Sequence, residues 1–390
     1  MNARERFLAI MNFEPVDRPL YWEFSYWAPT VRRWYNEGLE KVDGISDSLG
    51  GEGVVMAETC GVDWRNPHHD TDVSKALGFD EGIYRIPANN MYCPFFEVEL
   101  IEENEESYVV RDSEGILAQV SKINGTRHFM EFPVKDRKDY EKIRYRLQPD
   151  NLMDRLPPDW EEIKEKLKDR TYPLMYGGNM GFFNQPRRLM GLERLLTAFY
   201  DESELVKMMI DDTVNLLIGI YDPLLSELPG DCAMISEDMC YNAGCFISPD
   251  MFKEFMAPAY KKLVGFYRDH GIRAIYIDCD GDVMELIPLL ADVQVTGLVP
   301  FEVTGKCDIR EVRKRYPDFV ILGGICKKEV AKGREAIDVE LESKIPIVAK
   351  GGGFIPFIDH AAPPDISWQN FCYYRKRLAE ICQEHYCTDL

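Results

Sequence analysis

Three aspartates alternate along one stretch of the chain, Arg273-Ala274-Ile275-Tyr276-Ile277-Asp278-Cys279-Asp280-Gly281-Asp282. The apolar run that enters them reads as a buried strand. Like charges crowded at its end are unfavourable unless a proton, a cation or a hydrogen-bond donor compensates, and such a conflict between local cost and global fold marks a place to look for chemistry. Paired carboxylates in a cleft push their proton affinities apart, which suits Asp278 and Asp280 to general acid–base work or to metal ligation. A calcium loop is excluded, because the sixth and twelfth positions from Asp278 are Val283 and Leu289, where glycine and glutamate are required. Asp282 is placed to cap the helix that the pattern predicts over 283–290.

Two more apolar runs end in acids. Cys232-Ala233-Met234-Ile235 leads into Ser236-Glu237-Asp238, and the run from Thr296 to Val299 leads into Pro300-Phe301-Glu302. Some of these acids serve arginines or backbone amides, yet three acidic strand ends exceed what a fold needs. Glu237, Asp238 and Glu302 therefore join Asp278 and Asp280 as candidate catalytic groups. His360, between Asp359 and the Pro363-Pro364 break, is a candidate base or ligand, or else a loop histidine held by the backbone. Glycine pairs precede Asn179 and Cys326, and Gly351-Gly352-Gly353 either cradles phosphate or permits a tight turn. Cys245, Cys279 and Cys326 are soft-metal ligands or small buried fillers; Cys240 and Cys245 do not have zinc-ribbon spacing. His68-His69-Asp70 lacks a defined third partner and reads as surface loop.

These residues need elements that bring strand ends together. After Leu152, helical stretches of about 10–20 residues alternate with short β-rich runs, the rhythm of a parallel α/β fold. The runs are 173–176, 232–235, 274–277, 296–299, 319–322 and 345–349, and 20–24 supplies an earlier strand behind a helix over 2–11. In a (β/α)8 barrel all strand C-termini open on one face, so these polar or glycine-rich ends would share one mouth. A doubly wound open sheet is the competitor, but no glycine-rich turn follows the first strand and polar ends recur after nearly every strand. Between 95 and 132 the pattern alternates, with Asp112-Ser113-Glu114-Gly115 as a hairpin turn. A helix is predicted over 29–37 and a charged one over 133–146. The expected architecture is a single (β/α)8 TIM barrel over 1–390, with an antiparallel, hairpin-rich β insertion around 92–133 in the N-terminal third.

The 390 residues are 45% hydrophobic, enough for a large packed core. A formal net charge of −21 repels phosphate backbones and anionic membrane surfaces, although Lys327-Lys328 offers a local basic patch to an anionic substrate. No window reaches the roughly 18 apolar residues of a membrane helix, and the start of the chain is polar and charged. Eleven cysteines without small-domain spacing suit reduced thiols. The expectation is a cytoplasmic protein whose partners include neither nucleic acid nor membrane.

Several segments resemble the uroporphyrinogen decarboxylase superfamily: Arg4-Glu5-Arg6 with Pro15-Val16-Asp17-Arg18-Pro19, Glu237-Asp238-Met239 followed by Ile247-Ser248-Pro249-Asp250-Met251-Phe252, the Asp278 to Asp282 stretch, Gly323-Gly324-Ile325, and Gly352-Gly353-Phe354-Ile355-Pro356 with Asp359-His360-Ala361-Ala362-Pro363-Pro364-Asp365. The likeness runs along essentially the whole chain. It implies a (β/α)8 barrel and one of two chemistries, decarboxylation of a haem precursor or methyl exchange with a corrinoid protein. Fold does not choose between them. The decarboxylase branch has an arginine-rich N-terminal loop, whereas 20–33 here is aromatic, with Arg32-Arg33 only in the following helix. The thiol-methylating branch holds zinc with His-x-Cys before a glycine and a later Cys; aligned on Gly281, Asp278 and Asp280 stand in the first two places and Ile358 in the last. A carboxylate-rich site suits protonation or coordination of an oxygen leaving group. The resemblance thus implies a methyltransferase moving a methyl group from a small O-methylated compound, such as an aromatic methyl ether, to the cobalt of a separate corrinoid protein. Glu237, Asp278 and Asp280 would be acids or zinc ligands, and Tyr21, Glu23, Trp27, Asn179 and Cys326 substrate contacts. A decarboxylase-like lyase and a non-catalytic corrinoid- or tetrapyrrole-binding barrel are the alternatives.

Overall fold

Seven short runs pair into one curled sheet: β1 Tyr84–Arg85, β2 Leu174–Gly177, β3 Cys232–Ser236, β4 Ala274–Asp278, β5 Gly297–Val299, β6 Val320–Leu322 and β7 Phe354–Ile355. Their spatial order follows the chain and every pairing is parallel, so each connection crosses over through helix, as parallel pairing demands. This is the TIM-barrel-like architecture expected from the rhythm of strands and helices. The computed structural model describes residues 1–47, 49, 53–60, 69–123 and 125–386.

Side-chain parity decides what each strand offers. Ala274 and Tyr276 of β4 face an interior shared with Met175, Met234, Val299, Val320, Leu322 and Ile355. Ile275 and Ile277 face the outer helices, which include Ser203–Glu227, Ala257–Asp269, Arg334–Val348 and Trp368–Tyr386. None of the helices among the described residues is long and apolar enough to cross a membrane.

Residues 20–24 close the curl between β7 and β1 without forming the expected strand. Leu20 and Trp22 fill the interior, but the neighbouring amides go to carboxylates: Tyr21 N donates to Asp80 Oδ2 at 2.8 Å and Ile358 N to Glu23 Oε1 at 2.9 Å. Side-chain acceptors thus take amides that a ladder would use, while Tyr21 O, Glu23 O and Phe24 O accept from Asp80 N, Thr59 N and Ala57 N in the segments around them. The strand comes one residue later, Ser25–Trp27, antiparallel to Val54–Met56.

The run 345–349 is likewise not a strand. Ile337, Leu341, Ile345 and Val348 keep a helical spacing and are buried on the inner face of Arg334–Val348, so periodicity overrides the β-branched composition. Gly351, Gly352 and Gly353 consequently precede β7, at the end opposite the mouth. Gly352 and Gly353 turn their carbonyls to Arg313 Nη2 at 2.9 Å each, and a Cβ on Gly353 would lie 2.1 Å from the Phe13 ring. They form a tight turn. The helix expected over 283–290 begins later, at Leu286–Asp292, and Asp282 Oδ1 accepts from Met284 N in the turn before it.

Between β1 and β2, Glu99–Glu103, Ser107–Arg111, Leu117–Ser121 and Arg127–Glu131 form a four-stranded antiparallel sheet in sequential order. Asp112 makes its central turn by accepting from Glu114 N and Ile116 N, both at 3.0 Å.

Candidate functional site

The parity that buries Ala274 and Tyr276 in the barrel interior carries Asp278 to the top of the same row. Its register partner on β3 is Ser236, whose Oγ donates to Asp278 Oδ2 at 3.2 Å. Beyond Asp278 the chain turns at Gly281, where φ is +87° and a Cβ would lie 2.7 Å from the Tyr241 backbone. Only glycine fits there, and the turn delivers Asp280 to the mouth. Asp280 Oδ2 lies 3.5 Å from His360 Nε2, and Asp280, Glu302 and His360 place one ligand atom each within 4.8 Å of one another. Three strand ends, those of β4, β5 and β7, therefore supply one compact cluster.

The cluster is fixed from below. Glu302 Oε2 accepts from Gly281 N at 3.1 Å and its Oε1 from Lys327 Nζ at 3.3 Å. Asp359 is buried and accepts from Val303 N and Lys327 N, both at 2.9 Å, clamping together the loops that carry Glu302, Lys327 and His360. The His360 ring packs on Phe24 at 5.6 Å.

These surroundings shift the proton affinities. Burial, then the charges of Asp280 and Asp238, push the Asp278 carboxyl up to about 7, against the Ser236 hydrogen bond and the charge of Arg85. Burial disfavours charged His360, but the hydrogen bond and charge of Asp280 outweigh it and the imidazole is raised above its usual value. The mouth thus pairs a carboxyl that titrates close to neutrality with an imidazole biased towards its cation.

Parity also explains where Glu237 goes. Cys232 and Met234 face the interior, so Glu237 falls on the outward side of β3. It is fully buried, accepting from Phe182 N and Phe183 N at 2.8 Å, from Asn184 N at 3.2 Å and from the Tyr260 hydroxyl. Burial raises its carboxyl despite these bonds. Of the expected metal set Glu237, Asp278 and Asp280, the compact group among the described residues contains Asp280 alone. Asp238, with φ at +53°, pairs with Arg187 Nη2 at 2.7 Å on the rim.

The expected substrate contacts are dispersed. Asn179, also at positive φ, is exposed at the end of β2 and accepts from Arg85 Nη1 at 3.0 Å. Cys326 is buried after β6, its amide bound to Glu340 Oε1 at 2.7 Å. Trp27 ends its short strand half-buried, donating its amide to Ala362 O. Tyr21 lies with Asp80 and under the Arg18 guanidinium at 4.2 Å, before the start of β1. Glu23 has no exposed surface and pairs with Arg375 Nη1 at 3.2 Å; burial pushes its carboxyl up to about 7. His69 is described but His68 is outside the described residues, as is the rest of that motif's upstream flank. Arg85 escaped the sequence reading because β1 is two residues long and shows no periodicity. Ser236 carried a signal, its even spacing from Cys232 and Met234.

The model of the uroporphyrinogen decarboxylase (URO-D) family matches residues 121–380. No curated protein matches the chain in sequence. Among solved structures, a methyltransferase from Methanosarcina mazei aligns over 99% of this chain and 100% of its own at 13% identity, with a TM-score of 0.55, a likeness of fold. A B12-independent methionine synthase from Shewanella sp. W3-18-1, in complex with selenomethionine, aligns over 80% of this chain and 84% of its own at 12% identity, with a TM-score of 0.39. The family match spans two thirds of the chain and contains every strand of the barrel from β2 to β7. The chain therefore belongs to the uroporphyrinogen decarboxylase family.

Proposed function

We propose that this protein is a substrate:corrinoid methyltransferase, which moves a methyl group from a small O-methylated compound to the cobalt of a separate corrinoid protein. The observation that carries the reading is Asp278, a carboxyl at the mouth beside the Asp280–His360–Glu302 cluster whose proton affinity is raised to about 7, so that it can still carry a proton close to neutrality. An ether oxygen leaves poorly as an anion and needs a proton as its bond to carbon breaks. In the proposed step the methyl carbon passes to cobalt(I) of the partner's corrinoid, the electrons of the C–O bond remain with oxygen, and Asp278 gives that oxygen its proton. Ser236 orients the acid, Asp280 holds His360, and Asp359 keeps Glu302 and Lys327 in place. Asp238 and Asn179 stand on the rim, where a substrate would enter. The fold shared with the Methanosarcina mazei methyltransferase is in line with this reading.

Two carboxylates and an imidazole are a donor set that a divalent ion such as zinc accepts. Asp280, Glu302 and His360 would hold it, and it would supply a Lewis acid for the same oxygen. Lys327 competes with such an ion for Glu302.

The test is to mix the full chain with reduced corrinoid protein and a panel of methoxylated aromatic and aliphatic compounds. Methylcobalamin absorbance is expected with at least one ether; silence across ethers, amines and thiols would sink the proposal. The family model's own name motivates a second reading, a decarboxylase. Carbon dioxide released from an acidic ring compound without any corrinoid would select it.

A further inference from the structure

Beside the site, Cys240–Tyr241 and Gly244–Cys245 form a hairpin whose register pairs Cys240 with Cys245 and Tyr241 with Gly244. Phe246 N donates to Met239 O at 2.9 Å, so Met239 and Phe246 are a hydrogen-bonded pair. Alternation along an antiparallel ladder makes Cys240 and Cys245 the next, non-hydrogen-bonded pair, the kind that brings side chains closest. Cβ atoms of directly opposite residues lie about 4.5–5.5 Å apart, nearest in such pairs, and a disulfide needs about 3.5–4.5 Å, so closure requires a movement on the order of 1 Å. Cys245 and Cys279 flank Cys240, and their thiols together with burial raise the Cys240 thiol above its ordinary value. Cys240 and Cys279 are buried, whereas Cys245 is partly exposed and is the thiol a small reagent can reach.

The hairpin also buttresses the acidic turn. Tyr241 O accepts from Asp282 N at 2.8 Å, and the Tyr241 backbone lies against Gly281.

We propose that Cys240 and Cys245 are a reversible dithiol–disulfide site that reacts with low-molecular-weight disulfides, on the hairpin that supports the Asp278 to Asp282 turn. The Cys245 thiolate attacks one sulfur of the reagent and releases one thiol. Cys240 then attacks the mixed disulfide at Cys245 and releases the second, so two protein thiols are oxidised and one reagent disulfide is reduced. Cys279 stays reduced because the residue opposite Cys245 in the hairpin is Cys240. This site is independent of the methyl-transfer reading.

The experiment treats the full-length chain with glutathione disulfide and maps its peptides by mass spectrometry without reduction. Trypsin leaves Cys240 and Cys245 on one peptide, 208–253, which also carries the buried Cys232, so fragment ions must place the bond between Cys240 and Cys245. That peptide is expected to lose two hydrogens and to regain them with dithiothreitol. Cys245→Ser should abolish the loss and Cys279→Ser should leave it intact. A native chain that stays unmodified, retains glutathione on Cys245, or links Cys240 to Cys279 would overturn the proposal.

Discussion

Replacing Asp278 by Asn keeps the shape of the side chain and removes its ability to ionise. The carboxyl is raised from 3.8 to about 7 by burial and by the charges of Asp280 and Asp238. About three units at roughly 1.4 kcal/mol each amount to about 4 kcal/mol; part of the Asp278 surface is open to the mouth, and solvent screening reduces this to about 2 kcal/mol. A carboxyl whose affinity is raised on folding favours the folded state in full at low pH, and that advantage is lost as pH climbs from about 4 to about 7. Wild type and D278N should therefore melt together near pH 4. Their midpoints should separate up to pH 7 and run parallel above it, with the variant more stable. At about 2.1 cal/mol/K per residue over 390 residues, about 2 kcal/mol corresponds to about 2 °C. Calorimetry across that range checks it. Methyl transfer should meanwhile fall by about 10²–10⁴-fold in the variant, the contribution of a positioned general acid. A stability gap that is constant with pH, or that favours wild type above pH 7, would refute the electrostatic account.

Glu237→Gln turns an amide NH₂ towards backbone donors and should lose about 1–3 kcal/mol for each N–H left unpaired, read from the urea midpoint. Arg375→Ala strands the fully buried Glu23 and should cost about 3–5 kcal/mol by the same measurement. Calorimetric titration of the full chain with zinc should show one site, weakened more than about 100-fold by Asp280→Asn or His360→Ala, since loss of an outer-shell partner alone reaches that range. Zinc binding equal in both variants would remove that cluster as the metal site. Gly281→Ala should displace the Tyr241 hairpin, seen as faster amide exchange at Asp282.

What the sequence revealed and what it concealed divide along one physical line. Runs that are apolar throughout, such as 232–235 and 274–277, announced buried parallel strands, and their polar ends marked the mouth, because both signals are local. Period two, carried one or two residues past each strand, even sorts the acids: from Ala274 and Tyr276 it points Asp278 inward, and from Cys232 and Met234 it points Glu237 outward to Tyr260. Where local signals were overridden, the cause was tertiary. Residues 20–24 have strand composition but meet carboxylates and isolated backbone donors in place of a regular partner strand. The run 345–349 is β-branched, yet it completes a helical stripe that begins at Ile337. The cluster of Asp280, Glu302 and His360 joins residues 22 and 58 positions apart, so no window over the sequence contains it. Its members became visible one by one as polar groups after strands. Their meeting follows only from the curl of the sheet, which brings the ends of β4, β5 and β7 to one mouth, and from Asp359, whose two accepted hydrogen bonds hold the intervening loops in place.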